Sequence, residues 1–161
     1  MRVVALAVVT ATALLLLWLF LGQGGGGGEQ RLCDVTPYRA QLYVGEGGCA
    51  VGVLEAIVVP GCEGRVTVDY VELYGIGRAK PLEPSIPVKS GDRLLIVVYA
   101  SVGGQLVATM KVDESPESMA RRYIDLGLCI RGLVVGTDYP GAVSWNGKVT
   151  MFTWRTVSLV D

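Results

Sequence analysis

The chain has 161 residues, enough for one domain and a short appendage. Fourteen basic residues nearly balance fifteen acidic ones and no basic stripe appears, which argues against nucleic acid as a partner. Histidine is absent, which removes the commonest general base and the commonest metal ligand together.

The chain opens with Met1-Arg2 and then VVALAVVTATALLLLWLFL, a run of 19 residues from Val3 to Leu21 without a charge. As a helix this run covers roughly 28 Å, close to a bilayer's hydrocarbon thickness. Trp18 and Phe20 fall at its far end, where amphipathic rings favour the interface. Positive charge lies only on the near side until Arg31, so residues 1–22 read as a signal-anchor, single-pass, with the N-terminus cytoplasmic. Membrane lipid is then the partner of residues 3–21. A cleaved signal peptide is the alternative, but the run exceeds an ordinary h-region and ends in Leu-Gly-Gln-Gly. No cysteine follows closely, which argues against a lipid-modified anchor. Gly24 to Gly28 is unbroken glycine, so residues 23–30 read as a flexible tether. They lack the spacing and following helix of a phosphate-binding loop.

Residues 31–161 alternate short Val, Ile, Leu and Tyr runs with Gly and Pro, the pattern of an all-β sandwich or barrel. The expected fold is a β-sandwich of about eight strands with one short helix, placed outside the cell. Strands are predicted over residues 32–44 and 49–59, joined by Gly45-Glu46-Gly47-Gly48, and over residues 65–74. Pro81, Pro84 and Pro87 bar a central strand and indicate an edge or extended loop. Strands follow at residues 93–101 and 105–112. The core of the first, Leu94 to Tyr99, is apolar throughout and suits burial on both faces. Ser115-Pro116-Glu117 is a helix start, with Met119, Ala120, Tyr123 and Leu126 at helical spacing and Gly127 as the stop. Strand character resumes at residues 128–135. Asn146-Gly147, containing the only asparagine, predicts a hairpin between residues 142–145 and 148–159. That lone asparagine and only four glutamines point to a source that lives hot.

Cys33, Cys49, Cys62 and Cys129 have no close spacing and no histidine to join them, so two disulfides fit better than zinc. If the four-residue turn sets Val44 opposite Cys49, Cys33 falls opposite Pro60, beside Cys62. Cys49 and Cys62 would lie at opposite ends of one strand, beyond bonding reach. The predicted pairs are Cys33–Cys62 and, by elimination, Cys49–Cys129. Disulfides also form inside hyperthermophile cells, so outward placement rests mainly on Arg2 and the charge-free run.

Catalytic signals are weak. Ser85, Ser90 or Ser101 with Lys80, Lys89 or Lys111 is the remaining nucleophile–base combination, and no motif supports it. Asp113, Glu114 and Glu117 coincide with a helix N-terminus, which explains them electrostatically. Arg121-Arg122 reads as a solvated helix face. Trp145, Phe152 and Trp154 flank the predicted hairpin. Cross-strand packing explains them first, and an exposed aromatic interaction surface for glycan or protein is the alternative. No catalytic residue, metal or cofactor is expected.

The plan resembles the archaeal pilin, archaellin and archaellum-accessory class. VTVDYVELYG and IPVKSGDRLLIVVYA are similar to its sandwich strands, and AVVTATALLLL to its helix. The charged leader of processed members is reduced here to Met1-Arg2, which points to an uncleaved accessory protein or to a start that lies further upstream. The resemblance implies a structural or adhesive role at the cell surface, with a protein partner or self-association. An accessory subunit of a transport or respiratory complex is the second expectation, and an exported hydrolase the third.

Overall fold

A computed structural model describes residues 31–159; the expected anchor and tether lie outside the described residues. Nine strands form: β1 Val35–Val44, β2 Ala50–Val58, β3 Gly64–Leu73, β4 Gly77–Pro81, β5 Ser85–Val88, β6 Arg93–Ala100, β7 Leu106–Val112, β8 Tyr139–Trp145 and β9 Lys148–Ser158. One α-helix, α1 Pro116–Asp125, starts at Ser115, whose hydroxyl accepts from the Ser118 amide. Neither α1 nor the single short 3-10 turn among the described residues is long and apolar enough to cross a membrane.

Eight strands close in the order β4-β7-β6-β2-β1-β9-β8-β3, and β3 pairs back to β4. The domain is therefore an all-β barrel, which corrects the expected two-sheet sandwich. Closure depends on β4, where a central strand was not expected. It pairs with β3 through Gly77–Ala79 and with β7 through Lys80 and Pro81. Pro81 ends the strand, so its missing N–H breaks no long ladder. β5, which carries Pro87, pairs only with β3 and lies outside the ring, as proline on an edge requires. Two seams are parallel, β1–β9 and β4–β7.

Pleat alternation divides the core in two. Leu42, Leu54, Leu94, Ile96, Val98, Trp145 and Trp154 fill the barrel. Tyr43, Val51, Val53, Leu95, Val97 and Tyr99 face outward under Met119 and Ala120 of α1. β6 is buried on both faces for this reason, and its apolar run needs no polar side. Tyr123 of the helix stacks on Tyr99 with ring centroids 4.2 Å apart. Leu126, expected on the same stripe, caps α1 and is exposed.

Strand directions define two rims. Residues 32–34, 59–63 and 146–147 gather at one, where Cys33 is bonded to Cys62. Residues 45–49, 101–105 and 126–138 gather at the other, where Cys49 is bonded to Cys129. Val44 pairs with Ala50 rather than Cys49, but a bulge between Pro37 and Arg39 restores the expected register, so Val35 meets Val58. Residues 128–135 are not a strand. A lone bridge joins Ile130 to Ala50, while Gly132 and Gly136, at φ of 88° and 90°, turn the chain away from extension.

Trp154 lies in a slot made by two glycines. A Cβ at Gly52 would come within 3.1 Å of the indole Cζ3, and one at Gly141 within 2.6 Å of its Cδ1. The indole N–H donates to the Glu72 carbonyl at 3.2 Å. Asn146 and Gly147 both have positive φ, 49° and 78°, the backbone of the tight hairpin turn. The Asn146 side chain accepts from the Thr67 amide at 3.0 Å and donates to the Cys33 carbonyl at 2.7 Å, so one residue ties three segments.

Candidate functional site

The residues singled out as an interaction surface are mostly interior. Trp145 and Trp154 are buried, and Phe152 is half-buried, edge-on to Trp154 at 4.9 Å. Thr150, Phe152 and Trp154 take the inward positions of β9, while Val149, Met151 and Thr153 point out. The even-numbered aromatics therefore pack the barrel, and an exposed aromatic patch is corrected to a core cluster. Two of the three candidate serines are engaged elsewhere: Ser85 accepts from Arg65 Nε at 2.8 Å, and Ser90 accepts from the Gly61 amide at 2.7 Å.

The feature that survives is an opening in the barrel wall. β1 and β9 pair over Gln41–Val44 and Arg155–Ser158 and then part toward the Cys33 rim. The bulge at Tyr38 re-aims β1 there, and bulges bend and twist a strand locally. The resulting cleft, about 540 Å³, has Ala40, Leu54 and Phe152 as its floor and Tyr38, Arg39 and Arg155 on its rim. Asn146 bonded to Cys33 marks the rim of the barrel toward which the strands part.

Backbone groups along this opening are not used by a ladder among the described residues. Trp145 and Lys148 close the two-residue hairpin, so Lys148, Thr150, Phe152 and Trp154 turn their backbones toward β8. The Leu159 amide donates to Val44 at the paired end, in keeping with odd-numbered β9 residues facing β1. Met151 and Thr153 therefore present their N–H and C=O groups to the cleft, and Val149 continues the same edge beyond it. On the opposite side, Asp34 bonds to Val59, which turns Pro37 toward the cleft. Proline has no N–H, so β1 is the weaker edge.

Glu55 organises the β1 rim. It is 2% exposed and sits on the outer face of β2, opposite Arg39. Tyr38 donates to its Oε1 at 3.1 Å, and Arg39 Nη1 lies 3.6 Å from Oε2. A buried carboxylate needs such partners to offset desolvation. Burial foremost, then the Glu55 charge, pushes the nearby Tyr43 hydroxyl up to about 12. Its proton is donated to Gln41 Oε1 at 2.7 Å. Arg155 has no ion pair among the described residues, and no acidic side chain lines the cleft. The site is thus a cleft of mixed polarity, with an apolar floor, a cationic rim and a strand edge that no described strand pairs. Sequence reading missed it because a seam between strands 100 residues apart has no local signal. Glu55, the one charge in GVLEAIVV, is the trace it leaves.

A second cavity, about 580 Å³, lies at the opposite rim, with Ile76, Val102, Leu126 and Ile130 among its walls. Val102 is 96% exposed there. No family model matches this chain, and no curated protein matches it.

Proposed function

We propose that this is a membrane-anchored, extracytoplasmic protein of the cell surface that holds a protein partner rather than catalysing a reaction. The observation that carries the binding reading is the opened β1–β9 wall, with a strand edge unused among the described residues and an apolar floor. Two disulfides, one at each rim, favour an oxidising exterior. The charge-free run from Val3 to Leu21 supplies the anchor. A pilin-like or envelope-binding role fits this plan. A second reading, an accessory subunit of a membrane complex, draws on the exposed apolar group of Ile76, Val102 and Leu126.

Crosslinking and mass spectrometry of the native protein in its membranes tests both. Links from lysines near the opened wall, such as Lys148, to a surface protein or another copy support the first reading. Links from carboxylates of the Val102 rim, such as Asp138, to one polytopic protein favour the second. Recovery of the chain in the soluble cell fraction overturns the placement.

A further inference from the structure

We propose that the β1–β9 opening is an acceptor for an extended, acidic peptide segment of a partner protein, which adds as a strand to the β9 edge. The inference rests on the binding reading above and specifies its site and ligand chemistry.

Three observations converge on it. The edge from Val149 to Trp154 contains no charge and no proline, the two devices that normally blunt an edge strand. Val149 and Met151 are 58% and 61% exposed, so two of the three outward side chains of that edge are apolar, Thr153 being the third. Alternate residues of an incoming strand would place side chains over Phe152 and Leu54, at the barrel wall. Among the described residues Arg39 and Arg155 line the cleft and no acid does, and Arg39 alone is offset, by Glu55 behind it. This favours a ligand with carboxylates flanking an apolar side chain.

The opening also selects against competitors. Both of its sides are fixed strands of one barrel, which suits a single extended chain better than the edge of another sheet. Pro37 withholds a donor on the β1 side, so the hydrogen-bond ladder forms with β9 while β1 contributes the Tyr38 and Arg39 side chains.

The test uses the full chain in mild detergent and a displayed library of random heptapeptides. Enriched peptides are expected to alternate apolar and acidic residues. The best one should protect the amides of Val149, Met151 and Thr153 from hydrogen exchange. N-methylation at alternate amides of that peptide should abolish binding. Arg155→Glu should weaken it roughly tenfold, because an exposed cation at the rim with no ion pair among the described residues acts through charge and not through the fold. Enrichment without acidic residues, protection confined to the Val102 rim, or indifference to N-methylation overturns the proposal. So does a concentration-dependent dimer that protects the same amides without peptide, which assigns the edge to a second copy. An anchored, outward-facing chain that enriches no peptide refutes this inference and leaves the placement intact. A soluble chain that binds acidic peptides does the reverse.

Discussion

Substituting Asn146 separates two roles that the structure gives to one residue. Its backbone has φ of 49°, and its side chain bonds to the Thr67 amide and the Cys33 carbonyl. Asn146→Gly keeps the backbone accessible and removes both side-chain bonds. At a net 0.5–1.5 kcal/mol each, that costs about 1–3 kcal/mol. Asn146→Ala removes the same bonds and adds the left-handed penalty of a Cβ, about 1 kcal/mol more. Chemical denaturation followed by near-ultraviolet circular dichroism should rank wild type above Gly and Gly above Ala. Hydrogen exchange at the Thr67 amide should accelerate in both variants, with Leu95 in β6 changed only by the global loss. An alanine variant no less stable than the glycine variant would refute the backbone argument. Two variants within about 0.5 kcal/mol of wild type would refute the stapling argument.

Gly141→Ala places a Cβ within 2.6 Å of Trp154 Cδ1 and 2.8 Å of Phe152 Cε2, and it disturbs the indole bond to Glu72. The expected cost is about 2–4 kcal/mol. In a thermal-unfolding double-mutant cycle with Trp154→Phe, the combined loss should be smaller than the two single losses together. Alkaline stability should also depend on Tyr43, whose hydroxyl is held up to about 12 by burial. The folded state keeps this proton where the unfolded chain releases it near pH 10, so the contribution is complete below about pH 10 and is lost by about pH 12. Urea titrations across that range should fall more steeply for wild type than for Tyr43→Phe, by up to about 3 kcal/mol.

Local chemistry was legible wherever a few neighbouring residues decide the conformation. Asn146-Gly147 forces a tight hairpin, Ser115-Pro116 starts a helix, and glycines with prolines separate the strands. The disulfide pairs follow from hairpin geometry, because a strand's length keeps Cys49 and Cys62 apart. Barrel closure was not legible. It turns on β4, five residues near prolines, which joins β3 to β7 across distant parts of the chain. The inward aim of Trp145 and Trp154 was likewise undecided, since pleat alternation fixes which residues share a face but not which face meets the core. The opening between β1 and β9 belongs to the same class. It arises where a bulge at Tyr38 parts two strands that the sequence places over 100 residues apart, and only their meeting in space makes an edge, a floor and a rim.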